Sequence, residues 1–357
     1  MLSLEKRRSL LRLASRISCG TGLTRFHEWS QGDRWISYIF LPLTPTPPAI
    51  HGTGWTNELL RDALGVIRTH YHVLTPEEAI DCLAEPDRMK PLSVVVCTAL
   101  TMKPGDLDVA AAAHSVGVPL TVYICPGMLD SAMPPWPLLL RWGIEQIERG
   151  TVDMYGRRWI LNSSAERDIA SAAISERLYL LPEMDRTGHV RDLLASWQID
   201  VSDAPGLTWE DAAALFSSDL LTPGMVGYTG DSLSRLPLDR VIHELREARY
   251  MCHEKMGCDL HHILYPWGDH TPAIDSEAQR IGYASGLVLD DRTHGMNTPE
   301  TGTFGLTARS LLPGPPEVMR TDLAGIHHYL SSLTAGRETM WNGGDHFPSP
   351  RESSPES

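Results

Sequence analysis

Three things are scarce in this sequence of 357 residues: paired cysteines, long apolar runs and positive charge. Six cysteines are scattered without a CxxC motif, which excludes a zinc ribbon and favours a reduced, cytoplasmic setting. No apolar run reaches about 18 residues, so no transmembrane helix is predicted. The 45 acidic residues outnumber 31 basic ones, and the net charge is -14. This acidity argues against nucleic acid as a partner, because phosphates require a basic surface.

The first 30 residues form a basic amphipathic segment. A helical projection places four apolar residues on one face and four arginines around the rest: Leu10, Leu11, Ala14 and Ile17, and Arg7, Arg8, Arg12 and Arg16. Surface helices that pack on globular domains show this pattern, and so do helices that lie on a membrane. The second interpretation would make the protein peripheral to the inner membrane.

The most informative stretch, residues 93–130, predicts a strand, a loop, a helix and a second strand. The strands are the apolar runs at 94–97 and 118–124, and the alanine-rich helix is at 106–114. Such a unit places two parallel strands in one sheet with a right-handed crossover. In parallel α/β proteins the chemistry lies on loops after the carboxyl ends of strands. The loop at 98–102 is therefore the first place to look for functional groups.

Alternation of strands and helices extends over most of the chain. Further strands are predicted at 34–41, 225–229, 262–265 and 287–289, and further helices at 56–71, 238–256 and 274–281. Capping boxes at Thr75 and Thr208 each open a helix. This alternation predicts one α/β barrel domain over residues 31–325.

A helical block at about 131–220 interrupts the alternation and is interpreted as an insertion. It contains a predicted hairpin at 152–161. Residues 343–357 are rich in serine, proline and glutamate, and we predict that they are disordered.

Several segments together resemble one family. They are RTHYHVLTPEEAIDCL (68–83), GVPLTVYICPGMLD (117–130), LTWED (207–211), SRLPLDRVIHELREAR (234–249), ILYPWGDH (263–270), IGYASG (281–286) and FGLTAR (304–309). In order and spacing they are similar to the polysaccharide deacetylases, the NodB-homology or carbohydrate esterase family four. The resemblance is closer to the bacterial branch associated with exopolysaccharide biosynthesis, and it implies a distorted (β/α) barrel with a helical insertion.

The resemblance also implies a chemistry. Members of the family are metal-dependent hydrolases of carbohydrate metabolism. An Asp-Asp pair within T-F-D-D-G supplies a base and a metal ligand, and two histidines of H-[ST]-x-x-H supply the other ligands of a divalent metal such as zinc. The metal polarises the amide carbonyl and activates water, and a carboxylate takes the proton.

This sequence departs from both motifs. The first motif falls on TALTM, so that Leu100 stands at the position of the base and Thr101 at that of the metal-binding aspartate. The second falls on YTGDS, so that Tyr228 and Ser232 replace the histidines and only Thr229 is kept. A leucine accepts no proton, and neutral hydroxyls are poor ligands for zinc. We therefore predict a pseudoenzyme with no metal cofactor.

The same face retains groups that suit a bound oligo- or polysaccharide, or a protein partner. The ligand-binding candidates are Tyr38, Thr229, Tyr265, Trp267, Asp269 and His270. Aromatic rings beside polar groups favour sugar stacking. The alternative for Tyr265 and Trp267 is that they are packing residues of a structural turn.

Two other functions stay open at this point. The first is an active hydrolase that removes acyl groups from N-acetylated sugars through a relocated site at Asp269, His270, Asp290 or Asp291. These side chains are also typical of solvated loops that cap helices. The second is a structural partner of a membrane glycan-synthesis complex, which the protein would contact through its basic N-terminal helix.

Overall fold

The computed structural model describes residues 13, 15–21, 24, 35–44, 54–290 and 295–325. Its strands are β1 (Ile36–Phe40), β2 (His72–Leu74), β3 (Ser93–Ala99), β4 (Leu120–Ile124), β5 (Thr151–Met154), β6 (Arg157–Ile160), β7 (Leu221–Met225), β8 (His262–Leu264), β9 (Ser285–Leu289), β10 (Met296–Asn297) and β11 (Phe304–Ser310). Its helices are α1 (Asn57–His70), α2 (Pro76–Ala84), α3 (Val109–Val116), α4 (Pro126–Leu129), α5 (Trp136–Gln146), α6 (Ser164–Leu178), α7 (Glu183–Ser196), α8 (Trp209–Phe216), α9 (Leu238–Met256), α10 (Pro272–Ile281) and α11 (Pro316–Leu323).

Seven parallel strands close into a barrel. Their order is β1-β11-β9-β8-β7-β4-β3, and β3 pairs with β1 to complete the ring. Strand β2 extends the sheet beside β3, and β10 pairs antiparallel with β1. The predicted fold class, a distorted (β/α) barrel, is confirmed.

The predicted strand–helix–strand unit is the part of the barrel that contains β3, α3 and β4. Strands β3 and β4 are parallel neighbours, with Cys97 opposite Thr121. Helix α3 ends at Gly117, which takes the left-handed conformation (φ 70°) that glycine adopts without a steric cost. Both predicted capping boxes, at Thr75 and Thr208, are present.

One predicted strand is misplaced. Strand β7 spans Leu221–Met225, whereas the sequence pattern predicts 225–229. The backbone turns at Gly227 and Gly230, which both have positive φ angles, so the segment after Met225 is a loop. The consequence is that Tyr228 and Thr229 lie beyond the carboxyl end of the strand.

Alternate residues of each strand enter two separate hydrophobic clusters. The inner cluster fills the barrel and includes Tyr38, Phe40, Cys97 and Tyr123. The outer cluster lies between the barrel and its helices. This two-sided burial explains why the strands read as continuous apolar runs.

Helix α2 covers the amino-terminal end of the barrel, where a polar network joins it to the strands. Ala79 and Leu83 of this helix belong to the inner cluster. His262, fully buried at the start of β8, places its Nε2 2.9 Å from Oε1 of Glu77 on α2. Its Nδ1 lies 2.9 Å from Oγ of Ser285 on β9.

The Glu77–His262 contact predicts a stability change at acidic pH. The hydrogen bond to His262 lowers the pKa of Glu77 from 4.5 to about 2. A lowered pKa means that the folded state favours the carboxylate, so its stabilisation is present above pH 4.5 and is lost as the pH falls towards 2. We expect the difference in free energy of unfolding between wild type and Glu77→Gln to shrink across this window. Urea titrations at several pH values measure it, and a pH-independent difference would contradict it.

Helices α5, α6 and α7 and the β5–β6 hairpin form a helical block, residues 133–205, with a hydrophobic cluster of its own. The two ends of this block lie side by side in the structure. The backbone of Gly206 passes so close to Ala132 that a Cβ atom on Gly206 would stand 1.9 Å from the carbonyl oxygen of Ala132. Helix α8 contributes Ala212 to the outer barrel cluster, so it lies outside the block although the predicted insertion extends to about 220.

Some predictions concern residues outside the described ranges. Asp291, most of residues 1–30 and all of 343–357 fall there. Within the described ranges no helix combines the length and apolar character needed to cross a membrane.

Candidate functional site at the barrel mouth

The loops after the carboxyl ends of the barrel strands form the mouth of the barrel. Leu100 follows β3 there, but it is buried, and its side chain joins the outer hydrophobic cluster. Its backbone N–H donates to the carbonyl of Tyr123 over 2.8 Å. Thr101 is also buried. The residue that the resemblance sets at the position of the family's base is thus a packing residue.

The loop after β7 is bonded to helix α9 through the side chain of Thr229 and the backbone of Tyr228. Thr229 Oγ1 donates to Oε1 of Glu244 over 2.9 Å, and the backbone N–H of Tyr228 donates to the other carboxylate oxygen over 3.3 Å. Glu244 itself is fully buried. Burial raises the pKa of the Tyr228 phenol, whose ring packs on the outer cluster. These contacts fix the loop and leave Thr229 committed to a structural hydrogen bond.

Asp231, in the same loop, is the centre of a buried ion pair with the helical block. Its Oδ1 accepts from Nη1 of Arg186 over 2.8 Å and from Nε1 of Trp136 over 3.0 Å. The Asp231 side chain is 3% exposed and that of Arg186 is 9% exposed. The first turn of α7 and the first residue of α5 are therefore anchored on the mouth.

Tyr179, at the end of α6, lies at the centre of an aromatic and cationic cluster. Its ring makes edge contacts with Trp136 and Trp267, at centroid distances of 5.1 and 5.6 Å. The guanidinium groups of Arg186 and Arg235 lie 5.0 and 4.6 Å from its centroid. Each contact is of the kind that contributes about 0.5–2 kcal/mol. The cluster joins the block to the loops after β7 and β8.

Two predicted ligand-binding residues, Trp267 and Asp269, lie at the mouth and remain partly exposed. Ser232 Oγ donates to Oδ2 of Asp269 over 3.0 Å, and Trp267 Nε1 donates to the carbonyl of Gly230 over 3.3 Å. Trp267 has a φ angle of 64°, which is rare for a bulky side chain and costs conformational energy. Backbone strain of this kind is concentrated at functional sites.

Tyr265 and His270 lie away from the mouth, on the outer side of the barrel. Tyr265 is 1% exposed and donates to Oδ1 of Asp275 over 2.5 Å. The His270 ring stacks on Tyr265 at 4.9 Å, and its Nδ1 lies 3.1 Å from Oδ2 of Asp275. The hydrogen bond to Asp275 raises the pKa of His270. Burial favours the packing interpretation for Tyr265, and the imidazole serves the same outer network.

Tyr38 lies inside the barrel rather than at its mouth. It is buried in the inner cluster at the middle of β1, and burial raises the pKa of its phenol. Its hydroxyl makes no hydrogen bond with the described residues. Asp290, at the end of β9, is partly exposed, and its backbone N–H donates to the carbonyl of Ala308.

Several solved structures have an architecture similar to that of this chain. PplD, a deacetylase from Streptococcus pyogenes in complex with acetate, matches with a TM-score of 0.51 at 13% identity, over 81% of this chain and 96% of that one. IcaB from Ammonifex degensii matches with a TM-score of 0.50 at 14% identity, over 82% and 97% of the two chains. The chain has the polysaccharide deacetylase fold. No protein-family model and no curated protein matches the sequence.

The residues of this deacetylase fold do not fit the divalent metal of the family. The four residues that the resemblance sets at the positions of the base and the ligands are a leucine, a threonine, a tyrosine and a serine: Leu100, Thr101, Tyr228 and Ser232. Nowhere in the described part of the chain do three or more His, Cys, Asp or Glu side chains cluster as a metal site would require. Hydroxyl and aliphatic groups are poor zinc ligands.

Sequence reasoning missed the contribution of the helical block to the mouth. Trp136, Tyr179 and Arg186 come from three helices whose ends meet at Asp231. The sequence gives no clear signal for it, because Arg186 shares the first turn of its helix with Glu183 and Asp185 and so does not by itself require an acidic partner elsewhere. Nothing in the sequence indicates which acid that partner is.

Proposed function

We propose that this protein is a catalytically inactive polysaccharide deacetylase-like protein whose barrel mouth binds a glycan without a metal ion. One observation carries the proposal: the loop at the position of H-[ST]-x-x-H holds the buried Asp231–Arg186 ion pair instead of metal ligands. The positive charge beside this loop therefore comes from the guanidinium of Arg186, which is hydrogen-bonded to Asp231, and not from a metal ion. Hydrolysis of the family's type needs both a base and a metal-bound water, and the residues at those positions provide neither.

Trp267 and Asp269 support glycan binding at the mouth. Trp267 has a partly exposed indole whose orientation is fixed by its bond to Gly230 and by its backbone conformation. Asp269 has a carboxylate oriented by Ser232. A fixed aromatic ring beside a carboxylate suits a sugar, whose C–H face stacks while its hydroxyls donate hydrogen bonds.

We expect calorimetry to show that N-acetylated oligosaccharides bind with an affinity unchanged by EDTA, and that Trp267→Ala weakens binding about tenfold, because an aromatic contact is lost. Tyr250→Ala is the matched control, since Tyr250 is an exposed aromatic residue on α9, away from the mouth loops. The control should bind like wild type. Equal binding by wild type and Trp267→Ala would contradict the proposed location.

A measurement of acetate release tests the predicted absence of deacetylase activity separately from glycan binding. We expect no release from the same oligosaccharides with or without added zinc. Robust zinc-stimulated release would overturn the proposal.

A relocated hydrolase site is the second candidate, and the His270–Asp275 contact favours it, because a carboxylate that raises the pKa of an imidazole is common in general-base catalysis. Metal-independent acetate release that is abolished in His270→Ala would support this candidate. Release that persists in His270→Ala would reject it.

A further inference from the structure

The N-terminal helix packs on the barrel through small polar residues. Residues 15–20 are helical, and Ser15 is fully buried. Cys19 Sγ lies 3.7 Å from Oγ1 of Thr321 on α11, and Arg16 Nε lies 2.8 Å from Oε1 of Glu317 on the same helix. Ser15 and Cys19 therefore define the inward face of the helix, and Arg16, whose side chain is 71% exposed, lies at the edge of that face.

Two apolar residues that the structure describes in this segment, Leu13 and Ile17, are turned outward. Leu13 is 57% exposed and Ile17 is 56% exposed. They are four residues apart, which places them on one face of a helix. Of the two interpretations of the amphipathic pattern, a helix packed on the domain through its apolar face would bury Ile17, whereas Ile17 is exposed. An exposed apolar face on a helix that is already docked through its polar face is typical of a surface that binds something else.

Charge identifies the kind of partner. The first twenty residues contain five basic residues and one acidic residue, in a chain whose net charge is -14: Lys6, Arg7, Arg8, Arg12 and Arg16, with Glu5. The acidic remainder of the chain is repelled by an anionic surface, whereas the basic segment is attracted to it. The contrast between the basic N-terminal segment and the acidic remainder of the chain would orient the protein with its N-terminal segment towards an anionic surface.

We propose that Leu13, Arg16 and Ile17 form a docking surface for an anionic lipid bilayer. The two apolar side chains enter the boundary between headgroups and acyl chains, and the basic residues neutralise lipid headgroups. Two aliphatic side chains bury little area, so the binding is reversible and depends on electrostatic attraction. This surface is independent of the barrel mouth and of whether the mouth binds a glycan.

Co-sedimentation of the full chain with vesicles tests the proposal. We expect binding to phosphatidylcholine vesicles that contain about 30% phosphatidylglycerol and little binding to phosphatidylcholine alone. Binding should fall as salt is raised to about 1 M, where the Debye length shrinks to about 3 Å. Leu13→Gln together with Ile17→Gln should lower the partition coefficient at least about tenfold, because the apolar contribution is lost. Glutamine preserves helix propensity.

The matched control is Leu180→Gln together with Met184→Gln. These side chains are 77% and 85% exposed, so the control removes more apolar exposure, and removes it from the helical block. We expect it to bind vesicles like wild type, and circular dichroism should show all variants folded. Wild type that stays in the supernatant with anionic vesicles, or an unchanged Leu13/Ile17 variant, would overturn the proposal. So would a wild-type dimer by light scattering that the Leu13/Ile17 substitutions convert to a monomer, since a second copy would then cover this face.

Discussion

Replacing Asp231 with alanine will lower the free energy of unfolding by about 3–5 kcal/mol, because it leaves the buried Arg186 cation without its counter-charge. The indole N–H of Trp136 loses its acceptor at the same time. Both lost contacts join the helical block to the barrel mouth. We therefore expect limited proteolysis to cleave within residues 133–205 sooner than in wild type, and urea titration to measure the loss of stability.

Two variants separate this effect from a general sensitivity to charge. Arg158→Ala removes the exposed Arg158–Asp153 pair of the hairpin in the same block, and it should leave the stability unchanged. Arg186→Met combined with Asp231→Leu removes both charges and should recover most of the stability. If Asp231→Ala unfolds like wild type, the ion pair does not hold the block on the mouth.

Replacing Gly206 with alanine will destabilise the protein by about 3 kcal/mol, because the added methyl group has no space. It would stand 1.9 Å from the carbonyl oxygen of Ala132, 2.1 Å from its carbonyl carbon and 2.5 Å from the backbone nitrogen of Met133. All three are main-chain atoms, so no side-chain rotation can relieve the overlap. Thermal denaturation and urea titration would both report the loss.

The same substitution at Gly188 should have the opposite sign. Gly188 lies within helix α7, and nothing stands within 4 Å of the place where its Cβ would be. Alanine there should stabilise the helix by up to about 1 kcal/mol. A Gly206→Ala variant as stable as wild type would show that the two ends of the block separate easily.

Local patterns in the sequence were sufficient for the barrel because its strands and helices carry strong signals. The apolar run of β3, the capping boxes at Thr75 and Thr208 and the helix stop at Gly117 all operate within a few residues. Strand β7 was predicted too far along the chain because its true segment contains Pro223 and Gly224, which local rules treat as breaks. Close approach of the Tyr123 ring explains the glycine.

The candidate site was less predictable, because its contacts join residues that are far apart in the chain. Asp231 lies 45 residues from Arg186 and 95 from Trp136. The apolar and neutral residue types of Leu100 and Thr101 were visible in the sequence, but the position of Tyr38 inside the barrel was not. Whether a side chain after a strand points to the mouth or to the outer layer depends on the register and the twist of the loop, and the pattern of residue types does not encode either.

The contact between Ala132 and Gly206 also bears on how this chain could change in evolution. Because the two ends of the helical block touch, a short connection between residues 132 and 206 would be enough to join the barrel elements if the block were absent. An inserted block can also be long, because the entropic cost of closing a loop grows only slowly with the length of the loop. The block also has its own hydrophobic cluster, which does not include residues of the barrel strands. Residues 133–205 are therefore a separable module, which could be gained, exchanged or lost while the order of the barrel strands stays the same.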